Sequence, residues 1–253
     1  MFRLWCMIAE FSESSPVNVH PRLLGSAFLF FTLASVIHFG LIDNNLIVPR
    51  DINQVIDYIR SQEVIFRSGI ILDVIVFASA AFLSVLLYLT IRRNHSIMAL
   101  TALVMVMVQV SLAITIELSS FMTLFLTNSA YSGSFQSSEI SGLLKISLEV
   151  RRAGYSLSLI FFASGLILFL WGFWKSRLIT KGFCLWGIVS FLLMLFGTCI
   201  NIVSPETAKS LAIKSIITIA SSSAILFQIV LGFWLMAKGF NSRSVVKPFV
   251  SRS

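Results

Sequence analysis

The chain alternates between long apolar segments and short polar connections. A transmembrane helix needs about 20 predominantly apolar residues, and six segments meet that requirement. They occupy roughly residues 23–42, 64–90, 97–126, 150–174, 182–203 and 210–237. The pattern predicts an all-α polytopic membrane protein with six transmembrane helices. We expect a membrane domain over residues 23–237, preceded by a cytoplasmic segment at 1–22 and followed by a basic cytoplasmic tail at 238–253.

A short amphipathic stretch lies between the first and second spans. Asp51 stands where a helix N-cap is expected, and Pro49 just before it suits a chain that turns into a helix. Four aliphatic residues then recur at helical spacing, which places them on one face: Ile52, Val55, Ile56 and Ile59. We expect this helix either to lie in the membrane interface or to fold over the bundle.

The connection between the third and fourth spans has a different character. Its sequence, NSAYSGSFQSSEIS over residues 128–141, is rich in serine and contains glycine. That composition is typical of a mobile loop. We therefore expect the fourth helix to begin after it.

Composition supports a membrane protein. Hydrophobic residues make up 57% of the chain and charged residues 12%, whereas soluble domains carry about 25% charged residues. The net charge of +8 does not indicate nucleic-acid binding, because the basic residues lie in short loops at helix ends. The three cysteines are widely spaced and contain no CxxC pair, so they predict neither a disulfide framework nor a zinc site.

The loops predict the orientation. RRNH at 92–95 and KSRLITK at 175–181 carry only basic charges, and basic loops favour the cytoplasmic side. With six spans, both termini then lie in the cytoplasm, and the amphipathic helix lies outside.

Ionisable residues within the spans concentrate in the outer half. At about 1.5 Å per residue, Asp73 and Glu117 lie roughly 13 Å below the outer surface. Arg67, Lys214 and His38 lie at about 5 Å by the same rule. Because a charged side chain in hydrocarbon is costly unless it meets a partner or a cavity, we expect Asp73 to face the bundle interior. The candidate ligand-binding cluster comprises Asp73, Glu117, Lys214, Arg67, His38 and Arg152.

This cluster has three interpretations. The carboxylates could pair with Lys214, Arg67 or Arg152 and serve only to fix the helices. They could line an outward-facing pocket for a small polar molecule or a lipid headgroup. They could also act as an acid–base pair, or bind a metal together with His38.

Several motifs resemble the bacterial domain-of-unknown-function family 4386. The resemblance starts in NLIVPRDINQVIDYIRSQEVIFRSGIILDV, at Val48, Pro49, Asp51, Ile59, Phe66 and Arg67. It continues through LLYLTIRR, FFASGLILFLWGFWKS and GFWLMAKG and covers roughly residues 20–240. It implies a six-helix integral membrane protein and no activity. Gln228 stands near a position that is often acidic in the family.

Enzyme motifs are absent from the sequence. It contains no HExxH, GxSxG, P-loop or glycine-rich dinucleotide motif, so no catalytic residue and no cofactor is predicted. The leading hypothesis is a binding or accessory protein whose partners are membrane lipids or a small polar ligand. The alternatives are a proton-coupled transporter of small solutes and an intramembrane enzyme acting on a lipid.

The orientation can be tested by cysteine labelling in a chain freed of its own cysteines. A membrane-impermeant thiol reagent applied to intact cells should label Ser132→Cys, in the predicted outer loop. Ser96→Cys follows the basic loop at 92–95 and should be labelled only after permeabilisation. The reverse pattern would overturn the orientation.

Overall fold

Seven helices and no strand make up the described part of the chain in this computed structural model. That part comprises residues 19–40, 52–128, 137–204, 206 and 210–240, without the side chains of 52–53, 137–138 and 211–214. The helices are α1 Pro21–His38, α2 Ile52–Ser61, α3 Glu63–Ile91, α4 Ser96–Thr127, α5 Ser137–Ser176, α6 Lys181–Val203 and α7 Leu211–Lys238. All except α2 contain a segment long and apolar enough to span a membrane, which confirms the predicted fold class.

The six long helices form a closed ring. Each packs against its neighbours in chain order, from α1 to α3, α4, α5, α6 and α7, and α7 returns to α1. The short loops at 92–95 and 177–180 lie at one end of this bundle, here called the basic end. Helix α2 lies at the opposite end, here called the α2 end.

Two glycines allow α7 to close the ring against α1. A Cβ atom on Gly25 would lie 2.6 Å from the carbonyl oxygen of Gly232, and a Cβ on Gly232 would lie 2.7 Å from Leu29 Cγ. Only glycine permits this approach of the two backbones, which is a recurrent way of packing membrane helices.

The basic end of the bundle has an apolar core. Its largest fully buried side chains come from five of the six long helices, and the cluster contains no charged residue. They include Phe28, Leu83, Leu87, Ile91, Phe169, Phe173, Phe191 and Phe227. This half holds the helices together through dispersion and close packing.

Helix α5 begins earlier than the sequence pattern suggested. It has 40 residues, about 60 Å at 1.5 Å per residue, and so extends beyond the membrane at the α2 end. The expected loop at 128–141 is therefore wrong for residues 137–141, which are helical. Tertiary packing overrides the local composition here: Ser147 is buried, its Oγ donates to the Ser119 carbonyl at 2.7 Å, and it lies 2.8 Å from Thr123 Oγ1.

Helix α2 folds over the bundle rather than lying apart in the interface. Val55 and Ile59 are buried against α3 and α4, in a cluster with Phe66, Ile70 and Leu124. Arg60 Nε donates to the carbonyl oxygen of Thr127 at 2.9 Å, which satisfies a C-terminal carbonyl of α4. The predicted cap, Asp51, and the preceding Pro49 lie outside the described residues.

The glycine contact predicts a selective loss of stability. Gly25→Ala should lower the free energy of unfolding in mixed micelles by about 1–3 kcal/mol, because a backbone shift is needed to admit the methyl group. Gly142→Ala is the control, since nothing lies within 4 Å of its would-be Cβ. It should be neutral or slightly stabilising, as alanine is the better helix former. Equal effects of the two changes would contradict this account of α1–α7 packing.

Candidate functional site

A buried carboxylate on α3 joins three helices at the α2 end. Asp73 is 1% exposed. Its Oδ1 accepts a hydrogen bond from the Tyr155 hydroxyl at 2.7 Å, and its Oδ2 accepts one from Arg151 Nη2 at 3.2 Å. His38 Nε2, at the end of α1, lies 3.1 Å from the same Oδ2. Asp73 thus faces the interior and contacts groups on α1 and α5.

Arg151 extends these contacts to a fourth helix. Its side chain is 7% exposed, and its Nη1 donates to the hydroxyl of Ser120 on α4. Its Cζ also lies 5.1 Å from the centroid of the Tyr155 ring, within cation–π range. Arg151 and Tyr155 are four residues apart and share one face of α5, so both reach Asp73. We call His38, Asp73, Ser120, Arg151 and Tyr155 the Asp73 network.

Aromatic and aliphatic side chains surround the network. The Tyr155 ring stacks on the imidazole of His38 and tilts against Phe77, with ring centroids 6.5 Å apart in both pairs. Phe77, Ala113 and Ile116 form a small buried cluster beside it. Electrostatic interactions in such apolar surroundings are stronger than in water.

Glu117 lies beside the network and differs from Asp73. Both of its carboxyl oxygens are buried, and neither makes a geometrically regular hydrogen bond within the described part of the chain. Its carboxyl group nevertheless shares a side-chain hydrogen bond with Asp73 and interacts electrostatically with Asp73, Arg151 and His38. A buried acceptor without a donor carries a desolvation penalty of about 1–3 kcal/mol, and more when it is charged. Among the residues of this cluster, Glu117 therefore carries a desolvation penalty that its own contacts offset least.

The other residues of the predicted cluster lie elsewhere. Arg67 pairs with Glu63 at 2.8 Å and Arg152 with Glu149 at 2.6 Å, all with exposed side chains. The expectation that either arginine pairs with Asp73 is wrong, because neighbouring glutamates on their own helices hold them at the surface. The backbone of Lys214 belongs to α7, but its side chain lies outside the described atoms.

Gln228 is buried on α7, towards the apolar half of the bundle. Its Oε1 accepts from Thr32 Oγ1 at 3.3 Å, and its Nε2 donates to the Ala224 carbonyl at 3.3 Å. Both bonds are within the α1–α7 pair. Gln228 thus links the two helices that close the ring.

Arg151, Tyr155 and Ser120 are network members that the sequence analysis did not select. One signal could have found two of them: Arg151 and Tyr155 have the i, i+4 spacing that puts a cation and a hydroxyl on one helix face. Arg152 is rotated by about 100° from that face. Ser120 carries no comparable signal.

Two cavities open at the α2 end. One, of about 390 Å³, is lined by Arg67, Phe121, Met122, Leu124, Phe125 and Asn128. We call it the Arg67 groove. The other, of about 280 Å³, is lined by Ile59, Arg60, Glu63, Leu124, Thr127 and Asn128. Neither is lined by a residue of the Asp73 network. Among the described residues, no group of three or more His, Cys, Asp or Glu is arranged to hold a metal ion.

Comparison with known proteins identifies a family without a described activity. The model of the DUF4386 family, a domain of unknown function, matches residues 23–239. The chain belongs to this family, as its motifs indicated. No curated protein and no solved structure matches it. The site must therefore be interpreted from its own chemistry.

The Asp73 network predicts different outcomes for two substitutions of one residue. Asp73→Leu should lower the free energy of unfolding by about 3–5 kcal/mol, because it leaves the buried Arg151 guanidinium uncompensated. Asp73→Asn should cost less, because the amide oxygen still accepts a hydrogen bond from Arg151 or from Tyr155, although this variant too removes the countercharge of the guanidinium. Denaturation in mixed micelles measures both. Equal losses would show that the hydrogen bonds at Asp73 contribute little.

Proposed function

We propose that this DUF4386 protein is a binding or accessory protein of the bacterial cytoplasmic membrane. Its outer half binds a small polar solute or a lipid headgroup. Glu117 is the residue that meets the ligand. The observation that supports this role is the pair of buried Glu117 oxygens without a regular hydrogen bond in the described part of the chain. Binding supplies a hydrogen-bond partner with regular geometry, in addition to the carboxyl contact with Asp73.

Asp73 and Glu117 differ in role: Asp73 holds the helices together, whereas Glu117 binds the ligand. Asp73 has contacts to Tyr155, Arg151 and His38, so its acceptor capacity is largely used within the protein. Glu117 interacts electrostatically with Asp73, Arg151 and His38. It lacks the regular hydrogen bonds that Asp73 makes. A ligand that carries an ammonium, amide or hydroxyl donor would form a hydrogen bond to this carboxyl group.

The position of Glu117 offers a route to it from the lipid side. The residue as a whole is only partly buried, and its neighbours Ile114 and Leu118 on α4 are each 65% exposed. Because both carboxyl oxygens are buried, a headgroup at the outer edge of the bilayer reaches them only when these exposed apolar side chains move aside. This arrangement suits a lipid-derived ligand as well as a free solute.

Orientation supports access from outside the cell. The basic loops at 92–95 and 175–181 favour the cytoplasmic side. Both termini then belong in the cytoplasm, and the α2 end with Asp73 and Glu117 belongs outside. Helix α2 covers this outer end.

A proton-coupled transporter is the second candidate. It is favoured by the electrostatic interaction between Glu117, Asp73 and His38, since neighbouring carboxyl and imidazole groups can exchange protons. A transporter should move solute into proteoliposomes in response to a pH gradient, whereas a binding protein should retain ligand without moving it. Chemical conversion of a co-purified lipid would instead indicate the intramembrane enzyme.

Glu117→Leu should separate ligand binding from folding. We expect the variant to lose the co-purifying ligand at least about tenfold in native mass spectrometry, because the loss of a hydrogen bond to a buried group costs about 1–3 kcal/mol. Its free energy of unfolding should match or exceed that of the parent, because a buried acceptor without a regular hydrogen bond has been removed.

Glu149→Gln is the matched control, since Glu149 is an exposed glutamate at the same end. It should keep both ligand and stability. Unchanged ligand content in Glu117→Leu, or a parent protein that carries nothing beyond its annular lipids, would refute the proposal. A loss of stability as large as that of Asp73→Leu would assign Glu117 to the structural network instead.

A further inference from the structure

The Arg67 groove combines one cation with an apolar wall. Arg67 on α3 forms one side, and Phe121, Met122 and Phe125 on α4 form the other. These three side chains are 54%, 39% and 48% exposed. In a membrane they face lipid, so the groove opens to the bilayer and to the guanidinium together.

Arg67 keeps donors for a ligand in this groove. Its Nε and Nη2 both lie 2.8 Å from Glu63 Oε1. A guanidinium has five N–H groups, so the remaining ones have no protein acceptor among the described residues.

The depth of Arg67 matches that of lipid phosphates. Helix α3 has 29 residues, about 43 Å, of which the hydrocarbon core covers about 30 Å. Centred in the bilayer, the helix extends about 7 Å beyond the core at each end. Arg67 lies about 6 Å from its start, at the boundary where phosphate groups meet acyl chains.

We propose that the Arg67 groove binds one phospholipid of the outer leaflet, with the Arg67 guanidinium on the lipid phosphate and the acyl chains along Phe121 and Phe125. Arginine recognises phosphate through paired N–H donors, and the volume of about 390 Å³ suits a glycerophosphate with the first part of its chains. The groove is lined by neither Glu117 nor the Asp73 network, so this proposal does not rest on the proposed function.

Arg152 provides a matched control for Arg67. Both arginines are exposed at the α2 end and both pair with a glutamate on their own helix, but only Arg67 lines the groove. The experiment reconstitutes delipidated full-length protein with phosphatidylglycerol and counts retained lipids by native mass spectrometry. Diacylglycerol with the same acyl chains serves as the phosphate-free probe.

The parent protein and Arg152→Gln should retain one phosphatidylglycerol more tightly than diacylglycerol. Arg67→Gln should bind that lipid about tenfold more weakly, with an unchanged melting temperature because the side chain is exposed. Glu63→Gln should have the opposite effect and tighten binding, since it removes the anion that competes with phosphate. Phe121→Ala should shorten retention, whereas Phe196→Ala, 63% exposed outside the groove, should not.

Three results would overturn the proposal. Equal lipid loss in Arg67→Gln and Arg152→Gln would indicate general surface electrostatics. Weaker binding in Glu63→Gln would mean that the ion pair acts only as a structural unit. Equal retention of diacylglycerol and phosphatidylglycerol would mean that the groove holds acyl chains without phosphate recognition.

Discussion

The arrangement of the helices at the α2 end depends on the hydrogen bonds and ion pairs of one buried carboxylate. Asp73 lies within an apolar helix, where an ion without partners costs several kcal/mol. Tyr155, Arg151 and His38 meet it from two other helices, and Arg151 carries the connection on to Ser120. These bonds form only when four helices have particular rotations about their axes. They therefore specify the helix placement at the α2 end, which lacks the large apolar core of the basic end. They also create the surroundings in which Glu117 is left with buried oxygens.

The fold was largely predictable because its signal is long and simple. Twenty apolar residues in a row have few alternatives to a transmembrane helix, and depth arithmetic placed Asp73 and Glu117 at one level. The rotation of a helix about its own axis was not predictable in this way. Arg151 and Arg152 are equally basic and equally deep, and only packing against α4 decides which of them enters the bundle.

Two further features needed tertiary information. The amphipathic pattern of α2 suits a membrane interface as well as a protein surface, and the contacts of Val55 and Ile59 with the bundle decide between them. The first turns of α5 have a composition typical of loops, yet the buried hydroxyl contacts around Ser147 accompany its extension along α4. In both cases the deciding interaction joins residues far apart in the sequence.

The closure of α7 on α1 has a consequence for biosynthesis. Thr32 and Gln228, which link these helices, are 196 residues apart in the chain. At about 5–20 residues per second, α7 is synthesised roughly 10–40 s after α1, and during that time α1 lies in the membrane without it. Lipid can cover the Gly25 face during that interval, because acyl chains are as apolar as the helix that replaces them. The ring is therefore completed only after α7 has been synthesised, and a chain that stops before α7 leaves α1 with one partner helix instead of two.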